Sequence, residues 1–100
     1  MNYRLKLSTE AEKDFEIYID YILIDCAMPI TAAKHKADIL EILFSLTENP
    51  QINPIRYSPF LHKFGKNVRR ANYKKMAIIY TVNKGVIYIH RIIAASMIIA

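Results

Sequence analysis

The fold is decided by the stretch NVRRANYKKMAIIYTVNKGVIYIHRII, residues 67–93. Its apolar segments are rich in β-branched and aromatic side chains, which pack well on a pleated sheet. They predict three strands at 68–73, 76–82 and 86–94, and the last two flank Asn83-Lys84-Gly85, a sequence typical of a hairpin turn. Both faces of the two long strands are apolar at their centres. We therefore expect other elements to cover the sheet on both sides.

The segment before this meander changes its periodicity from strand to helix. Residues 3–7 alternate between polar and apolar side chains, which predicts a short strand. The run Thr9-Glu10-Ala11-Glu12 fits a capping box, and the apolar spacing behind it predicts a helix over about residues 9–26. The single cysteine, Cys26, falls on the apolar stripe of this helix, so we interpret it as a small core residue and not as a nucleophile.

A second helix is predicted after the break at Pro29. Thr31 is its expected N-cap and Asn49-Pro50 its expected end. One apolar stripe has small residues followed by large ones, and a second lies beside it: Ala33, Ala37, Leu40 and Phe44, then Ile39, Leu43 and Leu46. The first stripe indicates close helix packing. The short connection predicts an antiparallel helical hairpin, and the proline-rich residues 50–66 predict an irregular connector to the sheet.

The predicted fold class is therefore α+β, with an N-terminal strand and a two-helix antiparallel hairpin packed on an antiparallel β-sheet meander. A length of 100 residues indicates one domain, residues 1–100. One cysteine and the absence of a signal sequence or a long apolar segment predict a cytoplasmic protein with no membrane partner. No zinc-ligand spacing and no glycine-rich phosphate loop is present, so we expect neither a metal nor a cofactor.

The charge is distributed unevenly along the chain. The formal net charge is +5, yet all nine acidic residues lie at or before Glu48, where five basic residues accompany them. The nine basic residues after Glu48 face no acidic residue in the sequence. This pattern favours a polyanionic partner such as nucleic acid, a ribosome or an acidic protein. The alternative is a solvated basic face with no ligand.

The basic half supplies the candidate site residues. Lysine and arginine neutralise phosphates and tyrosine or histidine can stack on a base, which is the chemistry of RNA contact. The predicted target-binding or nucleic-acid-binding residues are Arg56, Lys63, Lys66, Arg69, Arg70, Lys74, Lys75 and Arg91, accompanied by Tyr57, Tyr73, Tyr80, Tyr88 and His90. A metal-free ribonuclease could also be assembled here, with His62, Lys63, Lys66 and Arg70 as its catalytic candidates.

Several segments together resemble a known family. YRLKLSTEAEKDFEIYIDYI, GKNVRRANY, MAIIYTV and VIYIHRII, in this order and spacing, look like the RelE/ParE superfamily of type II toxin–antitoxin toxins. The resemblance covers residues 2–97. It implies a small α+β toxin in which a helical hairpin lies on an antiparallel sheet. It also implies a cognate antitoxin that neutralises the toxin.

The superfamily contains two activities, since RelE-like members cleave mRNA on the ribosome and ParE-like members inhibit DNA gyrase. RelE-like members carry an arginine where this sequence has Met76 and Ala77, and a catalytic tyrosine or histidine in a polar C-terminal segment where this sequence offers Ser96. Both branches share a basic strand, which Arg69 and Arg70 match. The resemblance thus favours a ParE-like, gyrase-binding toxin. The alternatives are a ribosome-dependent endoribonuclease and an inactive relative that acts only as a binding partner.

The C-terminal tail is unusually apolar for a chain end. Ile92, Ile93, Met97, Ile98 and Ile99 either complete the core or meet a partner. Antitoxins of this family wrap the toxin with apolar anchors and acidic side chains. The resemblance therefore implies an acidic antitoxin that covers the basic sheet, and the predicted antitoxin-binding residues are Tyr80, Ile92, Met97 and Ile98.

Overall fold

A helical hairpin lies on one face of a four-stranded sheet in the computed structural model, which describes residues 2–98. The strands are β1 (Arg4–Leu7), β2 (Arg69–Tyr73), β3 (Met76–Asn83) and β4 (Val86–Ala94); the helices are α1 (Thr9–Asp20), α2 (Pro29–Glu48) and α3 (Pro59–His62). Short helical turns lie at Tyr21–Asp25, Pro50–Ile52 and Ala95–Met97. The expected role of Ile99 concerns a residue outside the described range.

The sheet has the strand order β1-β4-β3-β2. Strands β2, β3 and β4 form the predicted antiparallel meander, whereas β1 pairs with β4 in parallel, which makes the sheet mixed. The register shifts between β3 and β4, where Ile79 pairs with Arg91 and Tyr80 pairs with Ile89. His90 is therefore the extra residue of a β-bulge, and such bulges re-aim the side chains around them.

The start of α1 differs from the predicted capping box by one residue. Ser8 is the N-cap, because its Oγ accepts a hydrogen bond from the backbone N–H of Ala11 at 3.0 Å. The same hydroxyl donates to the carbonyl of His90 at 2.8 Å. Ser8 thus fixes the start of α1 to the bulge of β4, and Thr9 is the first helical residue.

The end of α1 corrects the expectation for Cys26. The residues Tyr21–Asp25 form a π-helical turn, in which the Cys26 N–H bonds to the Tyr21 carbonyl at 3.0 Å. This wider turn changes the angular position of the residues after Tyr21 relative to α-helical spacing. Ile22 stays buried, but Cys26 is exposed and does not belong to the core.

The buried face of α2 is the second of the two predicted stripes. The helix begins at Pro29, which suits the first helical position, and not after Thr31. Its buried residues are Ala32, Ile39, Leu43 and Leu46. The stripe of Ala33, Ala37, Leu40 and Phe44 is exposed, contrary to the expected close packing. Because the sheet lies along one side of the helix, it covers one stripe and leaves the other in solvent.

Both faces of the sheet are covered, as the sequence predicts. On the helical face, Ile78 and Tyr80 of β3 pack with residues of α1 and α2 in one core cluster, here called the helical core cluster. On the opposite face, Ile79 packs with Leu61, Val68 and Ile93 in a second cluster, to which Ile98 adds partial cover. The connector and tail therefore complete the second layer. Among residues 2–98, no helix combines the length and apolarity needed to cross a membrane.

Candidate target-binding surface

The connector between α2 and β2 is fixed to the sheet by hydrogen bonds. The Tyr80 hydroxyl donates to the Pro50 carbonyl at 2.6 Å and accepts from Nδ2 of Asn53 at 3.2 Å. The backbone N–H of Arg56 donates to the Val68 carbonyl at 2.8 Å. These bonds place Arg56, and with it Tyr57, beside the edge strand β2.

Local sequence then turns the chain back toward β2. Ser58 caps α3 by accepting the Leu61 N–H at 3.2 Å, and Leu61 is buried in the second core cluster. After α3, Gly65 adopts φ 121° and Asn67 adopts φ 57°. Glycine and asparagine tolerate this left-handed region best. The chain can therefore reverse within a few residues, which leaves the side chains of the turn exposed.

A concave surface, here called the basic groove, lies between the connector and this turn. It has a volume of about 430 Å³ and is lined by Arg56, Tyr57, His62, Gly65, Lys66, Asn67 and Val68. Within residues 2–98 the only ion pairs join Lys34 to Asp38 and Arg91 to Asp14. The cations of the basic groove are therefore uncompensated by carboxylates.

A second concavity, the tail groove, shares Arg56 and Tyr57 with the basic groove. Its volume is about 190 Å³ and its remaining lining residues are Ser58, Leu61, Arg70 and Ile98. Leu61 and Ile98 supply apolar surface, and the two arginines supply positive charge. The tail groove thus combines an apolar lining with cationic groups.

Two of the predicted target-binding cations are held inside the fold, and a third, Arg70, donates through Nε to Oδ1 of Asn72 at 3.1 Å on the surface. The Arg91 guanidinium forms a bidentate pair with Asp14, with Nε to Oδ2 at 2.6 Å and Nη2 to Oδ1 at 2.9 Å. This contact raises the pKa of Arg91. Arg69 donates through Nη1 to the carbonyl of Asn53 and so supports the connector. Neither side chain is a free cation, which differs from the expectation that both are available to a target.

The other predicted cations occupy several places on the surface. Lys63 lies over the ring of Phe60, with Nζ 4.0 Å from the ring centroid, and Lys74 lies 5.6 Å from the centroid of Tyr73. Lys75 is exposed beside Lys74 in the turn between β2 and β3. None of the three is among the residues that line the two grooves. The structure therefore brings together Arg56, His62 and Lys66, with Arg70 close by in the tail groove.

The predicted antitoxin-binding residues divide into buried and accessible pairs. Tyr80 is 0% exposed and Ile92 is 1% exposed, so neither side chain can reach a partner in this conformation. Met97 is 53% exposed and Ile98 lines the tail groove. Ile98 therefore shares the tail groove with Arg56 of the connector and Arg70 of β2, and Met97 precedes Ile98 in the chain.

The aromatic and histidine candidates on the sheet are held by neighbouring side chains. Tyr73 donates its hydroxyl to Oδ2 of Asp38 at 2.8 Å, and burial followed by this hydrogen bond raises the pKa of Tyr73. Nε2 of His90 lies 2.8 Å from Oγ1 of Thr81, and its ring lies against Phe64. Tyr57, in contrast, lines both grooves and is 79% exposed.

His90 should make stability depend on pH. Its burial lowers its pKa below the ordinary value of 6.5, so the unfolded chain takes up a proton more readily than the folded one. The stability that neutral His90 contributes to the folded protein is complete above about pH 6.5. It is lost as the pH falls from there through the lowered pKa of His90. We expect urea unfolding of wild type to lose more stability between about pH 7.5 and 5 than that of His90→Gln. A His62→Gln control, at an exposed histidine, should keep the wild-type dependence; equal losses in wild type and His90→Gln would contradict this prediction.

Sequence reasoning missed a third concavity, between the two helices. It has a volume of about 230 Å³ and is lined by Glu12, Phe15, Glu16, Ile19, Asp20 and Lys36. The unused signal was that α1 and α2 each carry more apolar residues than one buried stripe requires. Within residues 2–98, no three His, Cys, Asp or Glu side chains are grouped so that they could hold a metal ion.

Comparisons with known proteins agree with this architecture. A chain from the structure described as the chromosomal ParDE TA system from P. aeruginosa has a similar fold, with a TM-score of 0.71 and 23% sequence identity over 92% of this chain and 95% of that chain. No curated protein sequence is significantly similar. The family model described as the ParE toxin of the type II toxin–antitoxin system parDE matches residues 5–99. The hairpin, the meander and this match together show that the chain belongs to the ParE toxin family of type II toxin–antitoxin systems.

Proposed function

We propose that this ParE-family chain inhibits growth by binding DNA gyrase, and that an acidic antitoxin neutralises it in the cytoplasm. The observation that supports this proposal best is the basic groove. Arg56 and Lys66 face a shared concavity without carboxylate partners, in a half of the chain that contains no acidic residue. Uncompensated charge in a concave surface attracts an anionic target and accelerates association with it.

The position at which RelE-like members carry an arginine supports binding in preference to RNA cleavage. Met76 and Ala77 occupy this part of β3; Ala77 is fully buried, and Met76 packs against the helical core cluster. In the C-terminal turn, Ser96 is exposed and lies between Ala95 and Met97. This part of the sheet therefore offers packing surface in place of a general base or a charge-stabilising cation.

The tail groove fits the proposed antitoxin. An acidic segment with an apolar anchor would place the anchor against Leu61 and Ile98 and its carboxylates near Arg56 and Arg70. Met97, which is exposed and precedes Ile98 in the chain, would add apolar contact area. Because Arg56 and Tyr57 line both grooves, a bound antitoxin would cover part of the target-binding surface.

Growth after controlled expression tests the proposal. Wild type is expected to arrest growth with a DNA-damage response, and Arg56→Ala/Arg70→Ala is expected to restore colony formation by several orders of magnitude. Lys6→Ala/Lys13→Ala removes the same charge from exposed positions on β1 and α1, so it should remain toxic. Arg69 is left intact because its contact with Asn53 supports the connector. Circular dichroism of each purified variant checks that it is folded.

Three results would contradict the proposal. Equal toxicity of the two double variants would show that the grooves do not contact the target. Arrest with mRNA cuts at fixed codon positions, and without DNA damage, would instead indicate a ribonuclease. His62 and Lys66 would then be its first catalytic candidates, because both line the basic groove with Arg56. Normal growth with folded wild type would indicate an inactive relative.

A further inference from the structure

We propose that the basic groove, together with Arg70 of the tail groove beside it, binds single-stranded nucleic acid, with an unpaired base stacked on Tyr57 and phosphates held by Arg56, Lys66 and Arg70. This inference goes beyond the proposed function, because it gives the surface that we propose to contact gyrase a second ligand, a nucleic-acid strand. It is tested on the isolated chain, so its outcome is separate from that of the growth experiment.

The cations are arranged to follow a nucleic-acid backbone. Arg56 lines both grooves, Lys66 lines the basic groove and Arg70 lines the tail groove. A strand that runs from the basic groove to the tail groove would pass Lys66 first, then Arg56 and then Arg70. Arginine suits the central position because its guanidinium can donate two parallel hydrogen bonds to one phosphate.

Tyr57 supplies the reason to expect a single strand. Its side chain is 79% exposed, although it lines both grooves. An exposed aromatic ring within a positively charged groove is the arrangement on which unpaired bases stack, whatever their sequence. The bases of a duplex are already stacked on one another and cannot offer a free face.

The size of the basic groove is consistent with this ligand. Its volume of about 430 Å³ falls within the range of small-molecule sites, which is sufficient for one nucleotide. His62, which also lines the basic groove, adds ring nitrogens that can bond to a phosphate or a base edge. A duplex presents a wide convex surface, which a concavity of this size cannot enclose.

Fluorescence anisotropy with three labelled probes tests the proposal: oligo-dT, oligo-rU and a DNA duplex of equal length. We expect both single strands to bind more tightly than the duplex, and the difference between dT and rU distinguishes a DNA source from an RNA source. With three cations on phosphates, the logarithm of the binding constant should fall against the logarithm of salt with a slope of about −2.

The variants separate stacking from charge. Tyr57→Ala should weaken single-strand binding about tenfold, while Tyr57→Phe should retain it. Arg56→Ala/Lys66→Ala should reduce the salt slope to about −0.7. Lys6→Ala/Lys13→Ala is the charge-matched control on exposed sites outside both grooves, and its slope should remain that of wild type.

Duplex binding as tight as single-strand binding would overturn the proposal, and so would equal losses in the two double variants. Absence of binding to every probe at low salt would also overturn it. Toxicity does not enter this readout: a chain that binds single strands but does not arrest growth would support this inference and contradict the proposed function. A toxic chain that binds no single strand would do the reverse.

Discussion

Replacing Asp14 by alanine is expected to lower the free energy of unfolding by about 3 kcal/mol. The Asp14 carboxylate is 13% exposed and holds both Nε and Nη2 of Arg91, which is itself 32% exposed. It also accepts the backbone N–H of Ile92 at 3.0 Å. Its loss would leave a partly buried guanidinium and a backbone donor without their partner, and uncompensated groups of this kind are costly.

Urea denaturation measures this effect, and a thermal scan should show a fall of roughly 15 °C for a domain of this size. Asp14→Asn should lose less, because its amide oxygen still accepts a hydrogen bond. Lys34→Ala is the comparison at an exposed i,i+4 pair, where we expect less than about 0.5 kcal/mol. A loss below about 1 kcal/mol in Asp14→Ala would show that the pair does not hold α1 to β4.

The Lys34–Asp38 pair joins neighbours in the chain, whereas the Asp14–Arg91 pair joins residues 77 positions apart. The same difference separates the parts of the fold that the sequence could predict from those that it could not. The meander and the hairpin follow from local periodicity, which the sequence displays directly. The sequence also favoured Thr9 as the capping residue, because Ser8 and Thr9 have similar cap chemistry. The π-helical turn at Tyr21–Asp25 leaves no comparable signal, so Cys26 was misplaced on the buried stripe.

The sequence predicted which basic residues belong to the site, but not which of them are held by partners within the fold. Composition identified the acid-free half correctly, yet Arg91 pairs with an aspartate 77 positions away in the chain. Arg69 donates to a backbone carbonyl, a partner that no pattern of side chains reveals. Partners of this kind are set by tertiary packing. They separate the cations that hold the sheet from those that remain free in the connector.

This separation makes the connector the part of the molecule on which the proposed function depends. Its 3₁₀ turn, Pro50–Ile52, and the extended residues after it contribute little to the helical core cluster. They are placed by polar bonds to the sheet, of which two involve the Tyr80 hydroxyl. A buried side chain that lies outside both grooves therefore positions the groove residues.

Replacing Tyr80 by alanine is expected to lower the free energy of unfolding by about 4 kcal/mol, the largest loss that we predict for a single substitution. The ring is fully buried in the helical core cluster, so alanine would leave a large cavity. Tyr80→Phe retains the ring but removes the donor to Pro50 and the acceptor for Asn53, which should cost about 1–3 kcal/mol.

The two substitutions together distinguish packing from positioning. Urea denaturation should rank wild type above Tyr80→Phe and Tyr80→Ala below both. Hydrogen exchange of Tyr80→Phe should show faster exchange at the Arg56 N–H, which bonds to Val68 within the connector, than in wild type. The amides at the centre of β3 should also exchange faster, but only by the amount that the lower global stability of Tyr80→Phe accounts for. If Arg56 keeps wild-type protection in a folded Tyr80→Phe, the hydroxyl does not hold the connector, and Arg69 through its contact with Asn53 becomes the principal anchor of the basic groove.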